Sequence, residues 1–469
     1  MYCLYEEPEA SQSQQMEQWI TQELERTELG DTRRTKRLIK IVENLSAKPE
    51  ASVLQASETW AQTKATYDFW DSPYIKPSMI RQGHIDATVE RITQHRVVLA
   101  IQDTTELNYT SHKALSGTGY LDSSYAKGLK VHSVFTVSPQ GIPLGIIEQD
   151  VWSRNEEELG KSEQRKQKPT KEKESQRWLD ALKKTDSIIP ESVQVVTIAD
   201  READFYDLFA DARRPGSDFL IRATQNRCLV GSEQHLWSTL ESVESVGTMT
   251  VEVKRSATQT PRTAILKIRH ATITIAPPQN RPKTELLAPV TLQAILVTEV
   301  EPPPEIEPIT WLLLTTLEIT CLEDVQLYVR WYSYRWLIER YHYVLKSGCG
   351  IEKLQLETAH RIEMALATYS IVAWRLLWLT YLARFQPDAS CELVLATHEW
   401  QVLYTTIHHQ LYPHTTPPTL AQVVNWIARL GGFLGRKSDG SPGVKVLWRG
   451  LSRLHDLVEG WLLCQSFNN

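Results

Sequence analysis

Residues Tyr332 to Lys346 read YSYRWLIERYHYVLK. Wound as one helix at about 100° per residue, they separate into two faces. Tyr332, Arg335, Glu339 and Lys346 fall within roughly 60° of one another, while Leu337, Ile338, Tyr341, Val344 and Leu345 lie opposite. The apolar side predicts a helix anchored in a core. The polar side offers a phenol, a guanidinium, a carboxylate and an ammonium in a row, which suits a metal ion and a phosphodiester together. An ordinary solvated helix, with Arg335 and Glu339 as an i,i+4 pair, fits the same pattern. The helix therefore needs partners elsewhere in the chain.

Two carboxylates supply them. Asp103 follows the apolar run RVVLAIQ and Asp200 follows VQVVTIA. Both are expected to end buried strands, where α/β sheets gather their sites. Hard divalent cations require clustered oxygens, and Mg2+ keeps waters and substrate phosphate oxygens in its shell. Three carboxylates suffice for two such ions about 4 Å apart. Arg201, Arg222, Arg335 and Lys346 are placed to hold the polyanion on which they act.

The elements that must position these groups follow from the texture of the chain. Residues 1–77 read as helical: Asp31 or Thr32 caps a helix with Leu38, Ile41, Val42 and Leu45 at helical spacing, and a second runs from about Ser57 to Trp70. Arg33, Arg34, Arg37 and Lys40 crowd the first of these, which suits DNA docking or a basic solvated face. KVHSVFTV and IPLGIIEQ flank Ser138 to Gly141 as a hairpin, and residues 161–175 read as a polar loop. From about 217 to 316 the texture is β, and from 321 onward it is helical. A mixed α/β core interrupted by a β-rich segment follows. In the last helix Leu447, Leu451, Leu454, Val458 and Trp461 form a seam that fits either a partner helix or packing within the chain.

Bulk properties set limits. The 469 residues are 42% hydrophobic and 23% charged, enough for several domains with large cores. The fifteen tryptophans are mostly core anchors. A net charge of −6 argues against a uniformly basic coat but leaves local DNA-binding fields open. The six cysteines are scattered without a CxxC, and His408, His409 and His414 lack partner ligands, so reduced thiols are expected rather than disulfides or zinc. The N-terminus lacks a signal-peptide pattern. Met364 to Leu382 is near spanning length but carries Arg375, and is expected as a buried helix of a cytoplasmic protein that does not enter a membrane.

Two motifs are recognisable. ADREADFY at 199–206 resembles a DREAD-type second-aspartate motif, and Tyr332-x2-Arg335-x3-Glu339-x6-Lys346 matches a Y-x2-R-x3-E-x6-K signature without a gap. Together they resemble the DDE transposases of the bacterial insertion-sequence IS-four family, of the Tn-five type. The likeness extends over nearly the whole chain. ELGDTRRTKRL (28–38) looks like the end-binding segment, AIQDTTELNY (100–109) like the first-aspartate strand, and KESQRW (173–178) like the helix before the second aspartate. PITWLLLT (308–315) looks like the strand entering the catalytic helix, and IARLGGFLGRKSDG (427–440) like the C-terminal domain.

The resemblance implies an RNase H-like catalytic domain over 78–384 with a β-rich insertion at about 223–310, a helical end-binding domain over 1–77 and a helical dimerisation domain over 385–469. It implies Asp103, Asp200 and Glu339 as catalytic metal ligands for two Mg2+ ions, with Mn2+ able to substitute. Arg33, Arg34, Arg37, Lys40, Arg201, Arg222, Tyr332, Arg335 and Lys346 become DNA contacts, and Trp311 a stacking platform for a flipped base, although Trp311 taken alone reads first as a core tryptophan at a strand start. The implied function is cut-and-paste transposition: binding terminal inverted repeats in double-stranded DNA, pairing two ends in a homodimer, hydrolysis, hairpin formation and joining of 3′-ends to target DNA, in a bacterial, nucleoid-associated protein. An RNase H-fold nuclease without strand joining, or a non-catalytic regulator of transposition, remain alternatives. Thr224 and Tyr343 stand where basic residues are expected, and 46–51 (SAKPEA) departs from the pattern, so phosphate grip and end sequence should differ.

Overall fold

The structure, a computed structural model, describes residues 18–467 apart from 58, 124, 156, 158, 161–167, 254–261, 280–286, 411–415 and 437–438. The expectations for the acidic N-terminus with Cys3, for the first part of the lysine-rich loop, for His414 and for residues 437–438 lie outside the described residues.

Helices α1 (Gln18–Leu24), α2 (Thr32–Ala47), α3 (Val53–Ala56) and α4 (Trp60–Trp70) open the fold. Asp31 caps α2, its side chain accepting the Arg33 N–H at 2.9 Å, and the expected apolar residues Leu38, Ile41, Val42 and Leu45 are all buried. The second expected helix starts later than Ser57, at Trp60, because Thr59 is its cap. Helix α5 (Pro77–Ile92) begins on a proline at N1, where no backbone N–H is required. At Gly83 a Cβ would meet Thr27 Oγ1 at 2.2 Å and the Glu23 carbonyl at 2.8 Å, so glycine is what lets α1 and its following loop lie against α5.

The sheet contains β1 (Val97–Asn108), β2 (Gly119–Tyr120), β3 (Lys127–Val137) and β4 (Pro143–Trp152), then helix α6 (Gln176–Ile188), β5 (Gln194–Ala199), short α7 (Tyr206–Ala210) and β6 (Ser217–Arg222). The β3–β4 hairpin turns at Ser138 to Gly141 as expected. Strands β3 and β4 are antiparallel neighbours, β1 pairs antiparallel with β3 and parallel with β5, and β5 is parallel to β6. This is the RNase H-like arrangement. Helix α8 (Leu236–Ser242) and strands β7 (Gly247–Val253), β8 (Arg262–Ile275), β9 (Val290–Glu299) and β10 (Thr310–Thr315) follow. They do not form a separate sheet. β10 pairs with β6, and the order β2-β3-β1-β5-β6-β10-β9-β8-β7 is continuous, so the β-rich insertion extends the catalytic sheet.

Alternate residues of β1 enter opposite cores. Leu99 and Ile101 pack in the large core, while Val98 and Ala100 join Ile92, Ala181 and Val195 on the other side. A strand covered on both faces reads as a continuous apolar run. Helices α9 (Leu322–Ser333), α10 (Trp336–Tyr343), α11 (Ala359–Phe385), α12 (Thr397–His408), α13 (Leu420–Leu430) and α14 (Val444–Ser466) complete the chain. Helix α11 is long and apolar enough to cross a membrane, yet 83% of its apolar window is buried within the protein; it is a core helix. The α14 seam is consumed inside the chain: Leu447, Leu454 and Val458 are buried in a cluster with α12 and α13 residues.

Candidate active site

Asp200 stands directly after β5. Its carboxylate accepts the Glu202 N–H at 2.9 Å and caps a 3₁₀ turn, Arg201–Ala203, which ends the strand. Asp103 does not end its strand, as the sequence reading had it. β1 continues to Asn108 because residues 103–108 pair on with β3. Only the pairing with β5 stops nearby, at Ile101 opposite Ile198. Asp103 and Asp200 each lie two residues beyond that last pair, at the same end of the two strands, close enough for the Asp200 charge to act on Asp103.

Glu339 arrives on α10, which packs on β1. One turn on, the buried His342 lies with Nδ1 3.6 Å from Asp103 Oδ2, and i,i+3 residues share a helix face. The expected single helix over Tyr332–Lys346 is broken twice. The Tyr334 and Arg335 N–H groups bond three residues back, to Trp331 and Tyr332 carbonyls, and Leu337 and Ile338 repeat this. At the other end Val344–Gly348 form a π-helical turn. The tight turn winds further per residue than an α-helix, so Tyr332 does not share the exposed face: it is 3% exposed. The apolar face is as expected, with Leu337, Ile338, Tyr341, Val344 and Leu345 all buried.

The electrostatics report the convergence. Burial pushes the Asp103 carboxyl up to about 7, the negative charges of Asp200, Glu202 and Glu339 add to the shift, and Arg335 opposes it. A carboxyl so loaded with like charge is one that a cation relieves. Asp103 and Asp200 thus fit a hard divalent ion. Glu339 is exposed and ion-paired with Arg335, and among the described residues no three ligating groups are gathered tightly enough to grip an ion as they stand.

Aromatic and basic groups surround the acids. Trp311, half-buried at the start of β10, meets Tyr332 edge to face with centroids 5.3 Å apart. Arg222 bonds the Thr310 carbonyl at 3.1 Å and lies against Tyr332. Arg201 is exposed beside Asp200, and Lys346 sits half-buried in the π turn. Tyr343, where a lysine was expected, packs its ring against Trp448 of α14 instead. On α2, Arg33 pairs with its own cap Asp31, Lys40 pairs with Glu43, and Arg34 turns inward to the Leu29 carbonyl and over the Tyr74 ring. Arg37 is exposed, as is Lys36, which the sequence reading did not single out. His408 packs against Tyr404 and Trp426, and His409 ends α12 with a positive φ. The described cysteines are free thiols.

The sequence matches the family model of the transposase DDE domain over residues 85–375, more than half of the chain. The chain belongs to the DDE transposases. The transposase DNA-binding model matches 16–75 and the transposase Tn5 dimerisation model 371–469, which together make this a transposase of the Tn5 type, an enzyme of metal-dependent DNA cleavage and strand transfer that binds DNA and forms homodimers. The likeness of motifs is thereby carried to the family. Beyond it, His342 and Glu202 are the neighbours that sequence reading missed. Both lay within the quoted motifs, three residues after Glu339 and two after Asp200, and that spacing was the available signal.

A second buried histidine braces the Asp103 strand. The His132 Nε2 lies 3.2 Å from Gln102 Oε1 and Nδ1 2.9 Å from the Thr104 hydroxyl, partners that the neutral ring can satisfy with Nε2–H donating and Nδ1 accepting. Burial pushes its pKa down to about 3. The folded transposase therefore refuses a proton that the unfolded chain accepts below about 6.5. Stability is complete above that value and declines as pH falls towards about 3. His132→Gln should flatten this acid slope by about one proton's worth in urea unfolding at a series of pH values; an unchanged slope would show that the ring is charged in the fold.

Proposed function

We propose that this transposase moves its element by cut-and-paste chemistry, with Asp103, Asp200 and Glu339 as the metal-holding carboxylates. The observation that supports the reading is the register of β1 on β5, which brings Asp103 and Asp200 to the same end of two adjacent strands, with the charges of Asp200 and Glu339 both acting on Asp103 and the Glu339 helix packed on β1. Two Mg2+ ions, with Mn2+ able to substitute, would be held by these three residues and would supply an activated attacking oxygen and charge stabilisation at the leaving one. Asp103 is the group that feels the charge of both of the other two acids.

The remaining work belongs to the chain. Arg201, Arg222, Arg335 and Lys346 hold the phosphates flanking the scissile bond. When a phosphate of the end occupies Arg335, Glu339 is released from its ion pair and turns to the two aspartates. Trp311, half exposed and held from behind by Tyr332, offers its indole face to an unstacked base. Water attacks the first strand and frees a 3′-hydroxyl. That hydroxyl attacks the opposite strand to give a hairpin, water reopens it, and the 3′-ends attack target DNA. Each step is an in-line displacement at phosphorus.

The division of labour follows the chain. Residues 1–77 grip the terminal inverted repeats through Arg33, Arg37, Lys40 and Lys36, 78–384 cut and join, and 385–469 pair two protomers. Because the α14 seam is filled, the partner contact falls to exposed apolar residues at its C-terminal end, Leu457, Leu463 and, just past the helix, Phe467. The protein is placed in the bacterial cytoplasm, on the nucleoid. Incubation with the DNA that flanks its gene, with Mg2+, should yield cleavage at short inverted repeats, hairpin ends and joined products. Cleavage with no joined product under any metal would leave hydrolysis alone.

A further inference from the structure

Asp204 lies within the ADREADFY run, four residues after Asp200. Its side chain is 0% exposed. A buried carboxylate is retained only where donors satisfy it, and here all the donors come from one place. Oδ2 accepts the backbone N–H groups of Thr224 at 2.6 Å and Gln225 at 2.8 Å. Oδ1 lies 2.5 Å from Arg227 Nη1, a pair that closes by distance rather than by hydrogen-bond angle. The Asp204 carbonyl accepts Gln225 Nε2 at 2.8 Å and Arg227 Nη2 at 3.1 Å. The Arg227 guanidinium is itself buried, 5.0 Å over the Phe209 ring.

The two segments so joined carry different groups of the site. On one side the Asp204 N–H bonds the Arg201 carbonyl, locking the 3₁₀ turn that Asp200 caps. On the other, residues 224–227 follow Arg222 after one residue, Ala223, and begin the β-rich insertion, and the Ala223 N–H is fixed to the Leu312 carbonyl of β10, the residue next to Trp311. We infer that Asp204 is a positioning residue: it clamps the entry of the insertion, with Arg222, to the turn that bears Asp200, and so sets the spacing between the phosphate-holding arginine and the acid pair. This rests on the reading of Asp103, Asp200 and Glu339 given above.

In this arrangement the clamp holds scissile DNA against the acids without touching either. Asp204→Asn keeps an oxygen for the two N–H groups but loses the ion pair; Asp204→Ala loses both; Arg227→Leu removes the pair from the other side. The assay uses full-length protein with DNA carrying its element's end. It measures end-binding affinity, single-turnover cleavage at saturating DNA, the Mg2+ concentration for half-maximal cleavage and the melting temperature. Expected are end affinities within about twofold of wild type, and cleavage reduced by about tenfold in Asp204→Asn and Arg227→Leu and about a hundredfold in Asp204→Ala, with half-maximal Mg2+ raised. Wild-type cleavage rates in folded Asp204→Asn and Arg227→Leu would overturn the clamp, whether or not Asp204→Ala folds. So would a fall in cleavage that follows end binding and melting in parallel, since that marks a merely structural role. If the wild type does not cleave, or Asp103→Ala cleaves normally, the fault lies with the site assignment and not with the clamp.

Discussion

Replacing Asp103, Asp200 or Glu339 by alanine, one at a time, lowers strand cleavage by at least about a thousandfold and leaves end binding within about twofold. Each carboxylate lies within the DDE-domain match, apart from the DNA-binding match over 16–75, so the two readouts separate. The effect is large because the groups act as a unit: removing one leaves the others short of ligand oxygens and strips charge stabilisation from every displacement in the series. Asp103 is the most sensitive of the three, since burial and three neighbouring acids already hold its carboxyl up at about 7. Quantitative gels of nicked, hairpin and joined products on end DNA decide the matter. A variant that cuts at wild-type rate with Mg2+ removes that residue from the site.

The second large effect is on end binding. Lys36 and Arg37 are exposed on α2, and neither takes part in an ion pair among the described residues, in contrast to Arg33 and Lys40. Lys36→Ala combined with Arg37→Ala should weaken end binding by roughly ten- to a hundredfold at moderate salt and lower the salt slope by about 1.8, two phosphate contacts' worth. Arg34→Ala should behave differently. Its guanidinium holds the Leu29 carbonyl and covers Tyr74, so it costs stability and leaves the salt slope in place. Gel shifts across a salt series separate the two behaviours; a double variant with unchanged slope would show that α2 does not face the phosphates.

Much of this site was legible because its determinants are local. The apolar face of α10 and the end of β5 at Asp200 follow from side-chain periodicity and run length within a few residues. Asp103 was misplaced on its strand because TTELN reads as a polar exit, and only long-range pairing with β3 carries β1 through it. The break at Tyr334–Arg335 had no glycine or proline to announce it, and it lies two residues past Tyr332, whose ring meets Trp311 of β10. His342 was passed over because a histidine on a helix is usually unremarkable until the strand it faces is known. The α14 seam fitted a partner chain and an intrachain neighbour equally, and α12 and α13 fill it. The continuity of the insertion strands with the core sheet was equally hidden, since β10 pairs with β6 across more than ninety residues.

The account stands on the acids of β1, β5 and α10 gripping the same ions, and that can be read without any turnover. Fe2+ placed in the Mg2+ sites of the end-bound protein, with ascorbate and peroxide, releases hydroxyl radicals that cut the polypeptide within several ångströms of the ion. The fragments should map to cuts beside residues 103, 200 and 339, displaced by Mg2+ and absent from the Asp103→Ala, Asp200→Ala double variant. Cuts at one segment only, or a pattern that persists in the double variant, would contradict it.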